Sequence, residues 1–281
     1  MHEIFTTLAG IAPEIRSGLP GRRTETNETN VTGDQQLAAD IWADQLLAER
    51  FTALDSVGEY ASEERDEILE AGEGYSVAVD PLDGSSNLKS NNPMGTVVGV
   101  YDAPLPAPGS TIIAAGFVLY GPITTMILSE GGEIPREYVI DDGTPREVGQ
   151  KDLPDDPVVY GFGGNVSEWF PDFEEYVREV ETELKLRYGG AMIADVSQVL
   201  TYGGIFGYPG LQDRPEGKLR LLFESAPMGY LVEAAGGAST DGTGSLLDVE
   251  AEQLHQRTPT FVGSTEYIHR LENAMQSFSN P

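Results

Sequence analysis

The sequence predicts a layered α/β protein, in which layers of helices alternate with mixed sheets. Strand-like segments follow one another at short intervals in the first half of the chain, whereas strands and helices alternate in the second half. The chain has 281 residues, of which 40% are hydrophobic and 22% are charged. It is therefore long enough and apolar enough to bury a sizeable core.

The first half begins with a predicted helix and continues with a predicted sheet. Leu37, Ile41, Trp42 and Leu46 recur at helical spacing and predict a helix that ends at about Arg50. Four strand-like segments then predict a largely antiparallel or mixed sheet, with the proline-rich 103–109 segment as a loop between two of its strands. These segments are 75–79, 96–101, 112–120 and 123–128.

The second half is predicted to alternate helices and strands after a boundary at residues 152–157. The chain would then consist of an N-terminal half, 1–151, and a C-terminal half, 152–281, tightly packed as one unit. Apolar residues line one face of a charged helix near Tyr176, and further elements are predicted at 192–200 (helix) and 218–224 (strand). Pro227 suits the first turn of another helix and Gly236-Gly237 its end.

The charge balance excludes nucleic acid as a partner and indicates a protein from a high-salt environment. There are 46 acidic residues against 17 basic ones, for a formal net charge of −29. The acids are spread along the chain instead of forming a tail, and their mutual repulsion would destabilise a compact state in dilute buffer. At 1 M salt the Debye length is only about 3 Å, so the repulsion is screened. The hypothesis is a halophilic protein.

Several kinds of chemistry and location are excluded by what the sequence lacks. Without cysteine there is no disulfide, no thiol nucleophile and no sulfur-ligated zinc. The histidines, His2, His255 and His269, lie near the ends of the sequence and are expected at the surface. The N-terminus shows no secretion signal, and glycines and a proline interrupt the most apolar stretch, 111–128. A cytoplasmic protein without a membrane partner is expected.

The most informative segment is the octapeptide 80–87, Asp-Pro-Leu-Asp-Gly-Ser-Ser-Asn, placed directly after a predicted strand. Asp80, Asp83 and the Leu82 carbonyl are oxygen donors of the type that Mg²⁺ prefers, and a proline-stiffened turn would hold them together. Gly84 allows close backbone approach, and the residues after it would cap a helix whose N–H groups face a phosphate: Ser85, Ser86 and Asn87. The alternative interpretation of this segment is an Asp-rich surface turn. The Asp-Pro pair by itself would favour that alternative, whereas the full octapeptide does not.

The octapeptide resembles the signature of class I fructose-1,6-bisphosphatases, within the lithium-sensitive family that also includes inositol monophosphatases. Those other relatives usually have threonine after the glycine, so Ser85 favours the bisphosphatase branch. Further blocks are similar to blocks of the family and occur in the same order: 30–35, 62–64, 114–121, 187–192, 202–209 and 217–224. The resemblance implies the sugar-phosphatase fold and the hydrolysis of the 1-phosphate of fructose 1,6-bisphosphate, a gluconeogenic step.

The resemblance also implies a set of metal ligands and catalytic acids. Two or three Mg²⁺ ions per subunit, or Mn²⁺ in their place, would be held by Glu63, Asp80, Leu82, Asp83 and Glu224. Around a third metal or the attacking water would lie Asp34, Asp40 and Glu64. From the residues alone, solvated acids within an acidic run are the better interpretation of Glu63 and Glu64, and the resemblance reverses that preference.

Residues for substrate binding follow from the resemblance and, in part, from strand periodicity. In the predicted strand 218–224, one face carries Lys218, Arg220, Leu222 and Glu224 at a spacing of two, which would bring a cation next to a metal ligand. The resemblance implies a phosphate site at Asp83, Gly84, Ser85 and Ser86, and a second phosphate pocket at Asn165, Arg187, Tyr188 and Tyr208. For the two tyrosines, core packing is an equally good interpretation.

The resemblance implies a homo-oligomer, a tetramer or a dimer, because the arginine that matches Arg187 reaches a neighbouring subunit's site in the family. Other functions stay open at this point. The chain could be a broader sugar or inositol phosphatase, or a sedoheptulose-1,7-bisphosphatase. It could also be a non-catalytic acidic protein that binds cations or a polyol phosphate and keeps only the fold.

Overall fold

The computed structural model describes residues 1–23, 25–29 and 35–277, with side chains described for 1–23 and 37–275. Asp34 lies outside the described residues. The described residues form seven helices: α1 Glu3–Gly18, α2 Ala38–Phe51, α3 Asn87–Ser90, α4 Pro171–Glu183, α5 Met192–Tyr202, α6 Ala226–Ala234 and α7 Thr265–Ser277. Short 3-10 turns cover Leu19–Arg22, Gly109–Thr111, Val166–Glu168 and Leu246–Asp248.

The same residues form seventeen strands. The strands of the first half are β1 Glu25–Thr29, β2 Gln35–Leu37, β3 Val57–Ser62, β4 Leu69–Glu70, β5 Tyr75–Asp83, β6 Met94–Tyr101, β7 Ile112–Tyr120, β8 Thr124–Glu130, β9 Arg136–Asp141 and β10 Thr144–Gln150. Those of the second half are β11 Val159–Phe162, β12 Lys185–Leu186, β13 Gly204–Tyr208, β14 Leu219–Arg220, β15 Ala238–Thr240, β16 Arg257–Thr258 and β17 Thr260–Gly263.

Eight strands of the first half form one sheet, in the order β10-β9-β8-β7-β6-β5-β3-β4. Neighbours in this sheet are antiparallel except for β3 and β5, which run parallel. The predicted mixed sheet is therefore confirmed. Successive residues of a strand point to opposite faces: Val77 and Val79 pack against α1 and α2, whereas Ala78 packs against α5 and α6.

The second sheet contains five strands of the second half, in the order β12-β11-β13-β17-β15, and mixes parallel with antiparallel pairs. Helices α5 and α6 lie between the two sheets, and α4 and α7 cover the outer face of the second sheet. The layers thus run helix, sheet, helix, sheet, helix, which confirms the predicted layered α/β fold. No described helix is long and apolar enough to cross a membrane.

Most helices predicted from apolar spacing are confirmed. Helix α2 covers the segment predicted from Leu37 onward, and α5 begins at the predicted Met192. Pro171 stands in the first turn of α4, where its missing N–H removes no intrahelical hydrogen bond. Pro227 has the same place in α6. These helices present buried apolar faces, as the sequence spacing requires.

The strand predicted at 218–224 is wrong. Only Leu219 and Arg220 are extended, and the chain then forms a π-helical turn over Leu221–Ser225. Leu222 and Phe223 are both fully buried, although neighbours in a strand would point to opposite faces. A continuous apolar run carries no periodicity, so the pattern does not distinguish a strand from a buried helical turn.

Candidate metal and phosphate site

The parallel pairing of β3 with β5 brings the first two acidic residues together. Ser62 at the end of β3 is the register partner of Val79, and the Glu63 N–H donates to the Val79 carbonyl oxygen at 3.0 Å. Carboxyl ends of parallel strands lie at the same edge of a sheet. Glu63 therefore stands beside Asp80, and Glu64, the next residue, lines the same cleft.

A bulge, not a turn after the strand, places both aspartates of the octapeptide in the cleft. Strand β5 continues to Asp83, and its register with β6 shifts between Asp80 and Asp83. Residues three apart in a regular strand point to opposite faces, and the bulge removes that restriction. Pro81 fits the bulge because it has no N–H to donate to a ladder. The Leu82 N–H donates to Asp80 Oδ1 at 3.0 Å, and Leu82 also lines the cleft.

The π-helical turn brings Glu224 to the same place. Its Oε2 accepts a hydrogen bond from the Arg220 N–H at 2.7 Å. The buried Arg220 guanidinium pairs with Glu63 and lies 4.0 Å from Glu224 Oε2. One carboxylate oxygen from each of Glu63, Asp80 and Glu224 lies within 4.8 Å of the other two. Three acidic side chains from distant parts of the sequence therefore converge on one point.

Burial makes the charged forms of these carboxylates costly. Desolvation raises the pKa of Asp80 well above its usual range, and the charges of Glu63 and Asp83 raise it further. Burial also raises the pKa of Asp83 to about 7, despite a hydrogen bond from the Ile193 N–H, 2.6 Å from Asp83 Oδ2. Burial and the Glu63 charge raise the pKa of Glu224 to about 8. Carboxylate oxygens are hard donors, and divalent cations such as Mg²⁺ bind hard oxygen donors. Buried carboxylates that repel one another are therefore suitable ligands for a divalent cation.

Asp40 comes to the cleft from the first turn of α2. Its Oδ2 accepts a hydrogen bond from the Leu37 N–H at 2.7 Å, while Oδ1 is buried and has no hydrogen-bond partner among the described residues. Burial raises the pKa of Asp40 to about 7. The hydrogen bonds from Leu37 and Ser85 act in the opposite direction. A carboxyl with this pKa can take up or release a proton near neutral pH.

Gly84 connects the aspartates to the segment that would face a phosphate. Its φ is +73°, which favours glycine, and a Cβ at this position would collide with the Ala191 side chain. Ser85 and Ser86 line the cleft. The expected helix capping is wrong: α3 has only four residues, and the Ser86 side chain makes no capping hydrogen bond.

Asn87 fixes the neighbouring loop instead of capping a helix. Its side-chain amide donates to the carbonyl oxygens of Gly189, at 2.9 Å, and Pro93, at 2.8 Å. The Gly189 N–H donates to both carboxylate oxygens of Asp195, at 2.7 and 3.0 Å. Hydrogen bonds to its carbonyl oxygen and from its N–H therefore fix the position of Gly189. The next residue, Gly190, lines the cleft.

Lys218 and Tyr208 line the same cleft as the carboxylates. Lys218 Nζ lies 5.0 Å from the centre of the Tyr208 ring, and its charge acts to lower the pKa of Asp83. The hydroxyls of Tyr208 and Tyr188 are hydrogen-bonded to each other. Tyr208 is buried, whereas Tyr188 is 44% exposed. Tyr208 lines the cleft, whereas Tyr188 does not and is joined to it through this hydrogen bond.

Three of the four residues expected in the second phosphate pocket do not line this cleft, and one of them, Tyr188, lines a separate cavity. Arg187 is exposed; its Nη1 donates to Gln198 Oε1 at 3.3 Å, and the guanidinium carbon lies 4.8 Å from the centre of the Tyr202 ring. Asn165 is also exposed, and its amide donates to Glu168 Oε1 at 3.1 Å. Asn165 thus does not line the cleft within this chain, and its assignment to the second phosphate pocket stays a prediction.

Sequence reasoning missed two residues that shape the site. Arg220 was placed on the Lys218 face of a strand, but it proves to be the cation between Glu63 and Glu224. Asp195 lies in the first turn of α5, where burial raises its pKa to about 6. An acid inside an otherwise apolar helix face is a signal that could have found it.

The cluster of carboxylates could hold a metal ion. Comparisons with known proteins show the class of protein, a phosphatase. Residues 6–144 match the family model for the N-terminal domain of fructose-1,6-bisphosphatase, and residues 153–276 match the model for its C-terminal domain. The chain belongs to the fructose-1,6-bisphosphatase family, whose members depend on divalent metals.

Individual relatives resemble the chain over nearly its whole length. The class 1 fructose-1,6-bisphosphatase of Natronomonas pharaonis is 61% identical over 279 residues, which cover 98% of each chain. That of Halobacterium salinarum strain R1 is 56% identical over 280 residues, covering 99% of this chain and 98% of the relative. The holo crystal structure of the Leishmania major enzyme aligns with a TM-score of 0.91 and 29% identity, covering 98% of this chain and 93% of the other.

Proposed function

We propose that the chain hydrolyses the 1-phosphate of fructose 1,6-bisphosphate, in a Mg²⁺-dependent reaction that yields fructose 6-phosphate and phosphate. The convergence of Glu63, Asp80 and Glu224, with oxygens within 4.8 Å of one another, carries the proposal. The cleft that contains them also contains the Gly84–Ser86 segment and Lys218. Carboxylates that can bind a metal ion, groups that can donate hydrogen bonds to a phosphate, and a lysine that can contact the sugar therefore line one cavity. The chain also belongs to this phosphatase family.

The carboxylates of this cluster would hold the metal. Glu63, Asp80, Asp83 and Glu224 offer carboxylate oxygens, and Leu82 offers its carbonyl oxygen, a donor set suited to Mg²⁺ or Mn²⁺. The proposal assigns two or three ions to a subunit. When bound, they supply Lewis-acid activation of the phosphoryl group and lower the pKa of a water. Without them, the buried carboxylates repel one another, as their raised pKa values indicate.

Asp40 and Glu64 would handle the proton of the attacking water. The pKa of Asp40 is raised to about 7, so its carboxylate can accept a proton at neutral pH and release it later. Its Oδ1 has no hydrogen-bond partner in the described part of the chain and is available for this role. Glu64 lines the same cleft, and Asp34 is assigned to the same task from the resemblance alone.

The substrate would be held between the 84–86 segment and the tyrosines. The backbone of Gly84 and the hydroxyls of Ser85 and Ser86 can donate hydrogen bonds to the 1-phosphate. Lys218 stands between Tyr208 and Asp83, where it can contact the sugar or its phosphate oxygens. Tyr208 and Tyr188 would then hydrogen-bond the second phosphate through their hydroxyls.

Arg187 would contribute to the site of a neighbouring copy. It is exposed and does not line the cleft of its own chain. A guanidinium recognises a phosphate through paired hydrogen bonds. We therefore propose a homo-oligomer, a dimer or a tetramer, in which this arginine completes the second phosphate pocket of the next subunit.

The cellular setting follows from the charge and the relatives. The relatives from Natronomonas pharaonis and Halobacterium salinarum come from halophilic archaea, which agrees with the net charge of −29. We propose a cytoplasmic gluconeogenic enzyme that works in concentrated salt and binds neither nucleic acid nor membranes.

The proposed bond cleavage is tested with ¹⁸O-labelled water. Attack of water on phosphorus transfers one ¹⁸O atom to the released phosphate and leaves the C1 oxygen of fructose 6-phosphate unlabelled, as mass spectrometry of the phosphate and of the sugar fragments would show. Label at the C1 oxygen, or fructose 1-phosphate as the product, would contradict the proposal. Wild-type chain without Mg²⁺ is the control and should release no phosphate.

One observation favours a second candidate, a phosphatase of broader range such as a sedoheptulose-1,7-bisphosphatase or an inositol phosphatase. Asn165 does not reach the cleft, so the second phosphate has fewer partners within one chain than the resemblance implied. Comparable kcat/KM values for a monophosphate and for the bisphosphate would favour this broader function.

A further inference from the structure

His255 contacts the two segments that carry the metal carboxylates. Its Nε2 lies 2.8 Å from the Arg65 carbonyl oxygen, and Arg65 follows the Glu63-Glu64 pair. Its ring packs against Phe223, with 5.4 Å between ring centres, and Phe223 directly precedes Glu224. One side chain thus touches both segments, although it is distant from each of them in sequence. The expectation that His255 is a surface residue is wrong, because it is half-buried.

The hydrogen-bond partner of His255 fixes its protonation state. A carbonyl oxygen can only accept, so Nε2 carries the proton and donates it to Arg65. Nδ1 is buried and has no partner among the described residues, which leaves it unprotonated. Burial also lowers the pKa of His255, in agreement with a neutral ring. The contact is therefore a directed hydrogen bond from a neutral imidazole.

Both segments are fixed on their other sides. Arg65 Nε lies 2.7 Å from Asp44 Oδ2 on helix α2. Next to His255, the Gln256 carbonyl accepts a hydrogen bond from the Leu221 N–H at 2.8 Å, at the start of the π-helical turn. His255 therefore joins these two anchored segments from another side than Arg220, which pairs with Glu63 and lies near Glu224.

We propose that His255 is a positioning residue that sets the spacing of Glu63 and Glu224, and through it the affinity of the site for divalent metal. The inference rests on the proposed metal site. Mg²⁺ requires nearly ideal ligand geometry, so small displacements of a carboxylate weaken binding. Residues that orient metal ligands typically change metal affinity by about 10- to 100-fold when they are replaced.

Two variants separate the hydrogen bond from the packing. His255→Phe keeps an aromatic ring against Phe223 and removes the donor to Arg65, whereas His255→Gln keeps an N–H donor. His269→Phe is the matched control, because His269 is exposed on α7. For each protein, calorimetric titration with Mg²⁺ alone gives the Kd, and thermal unfolding gives the midpoint with and without the ion.

For His255→Phe we expect the Kd for Mg²⁺ to rise about 10-fold or more, with KM for the bisphosphate unchanged at saturating Mg²⁺. For His255→Gln we expect a Kd within about 3-fold of wild type, and for the control no change. A residue important only for stability would lower the metal-free unfolding midpoint without changing the Kd.

The outcomes also separate this inference from the proposed function. An unchanged Kd in His255→Phe, beside lost Mg²⁺ binding in Asp80→Asn, would overturn the role of His255 and leave the metal site intact. Wild-type protein that binds no Mg²⁺ would overturn both.

Discussion

Asp80 is a buried carboxylate that is surrounded by other acids, and this single residue illustrates how stability and function conflict at the site. Its side chain is only 3% exposed, and its pKa is raised well above the usual range by burial and by the charges of Glu63 and Asp83. In the metal-free protein its charge therefore destabilises the fold, whereas the same charge attracts a cation.

Asp80→Asn is predicted to abolish activity and to stabilise the metal-free protein. Asparagine keeps an oxygen that can accept from the Leu82 N–H but removes the charge. We expect phosphate release to fall at least about 100-fold, more than for a residue that only orients a ligand. The free energy of metal-free unfolding should rise. Denaturant titration and a phosphate assay measure both effects, with the exposed Asp102→Asn as control. Lower metal-free stability in Asp80→Asn would contradict the electrostatic account.

The raised pKa values predict how metal-free stability depends on pH. The pKa rises on folding from 3.8 to about 7 for Asp83 and from 4.5 to about 8 for Glu224. Between the unfolded and the folded pKa values, the folded protein therefore binds more protons than the unfolded protein does. Its free energy of unfolding falls as the pH rises through this range. Mg²⁺ binds the deprotonated carboxylates, so its stabilising effect should be larger at pH 8 than at pH 6.

Thermal unfolding with and without Mg²⁺ at the two pH values measures this effect. The increase in the midpoint on adding Mg²⁺ should be greater at pH 8, and Asp80→Asn should show little increase at either pH. An increment that is constant, or larger at pH 6, would contradict the assignment of these carboxylates as ligands.

At the residue scale, the sequence predicted the acids well and their partners poorly. Asp80, Asp83, Glu63 and Glu224 were all named in advance, and the structure brings them into one cleft. The pairing of Arg220 with Glu63 could not be predicted, because it depends on a contact between the two halves of the chain. Long-range pairings of this kind leave no local pattern in a single sequence.

Among the contacts between secondary-structure elements, the 84–86 segment lies so close to the start of α5 that residue 84 has no room for a side chain. Gly84 has φ +73°, and a Cβ there would collide with Ala191. The segment can therefore lie against α5 only if residue 84 has no side chain. The same contact places the Asp83 carboxylate at the Ile193 N–H, 2.6 Å away.

Gly84→Ala is predicted to reduce activity and stability together. Gly131→Ala is a matched control, since Gly131 has a similar φ of +62° but no atom within 4 Å of the added Cβ. The control should lose about 1 kcal/mol from backbone strain alone and keep its activity. Gly84→Ala should lose more stability and lower kcat, because α5 must move. Equal losses in the two variants, measured by denaturant titration and phosphate release, would contradict the importance of this contact.

Regular helices and strands were predictable, and irregular stretches of backbone were not. Helix α2 follows the spacing of its apolar residues, and strands β6 to β8 follow the predicted strand-like segments. The π-helical turn Leu221–Ser225 and the bulge in β5 do not, because buried apolar runs and bulges depend on the elements packed around them. Both departures occur at residues that carry the site, where local rules are most often overridden.

At the scale of the whole molecule, the central core joins the two halves of the chain. One apolar cluster contains Ala78 and Phe117 from the first half together with Met192, Phe206 and Val232 from the second. The site itself also needs both halves, since Glu63 precedes residue 151 and Glu224 follows it. We therefore propose that 1–151 and 152–281 unfold as one unit.

The net charge of −29 predicts that stability depends on salt. Repulsion between surface acids opposes folding in dilute buffer, and salt at molar concentration screens it within about 3 Å. We expect the thermal unfolding midpoint to rise between 0.1 M and 3 M KCl. Sucrose at matched osmolality is the control, because it does not screen charge. A thermal unfolding midpoint that does not change with KCl concentration would contradict the halophile hypothesis.

The central claim is tested most directly by phosphate release from three substrates in high-salt buffer, with and without Mg²⁺. The substrates are fructose 1,6-bisphosphate, fructose 6-phosphate and inositol 1-phosphate. The account predicts release from the bisphosphate alone, and only when Mg²⁺ is present. Equal release from all three substrates, or release from the bisphosphate without metal, would contradict it.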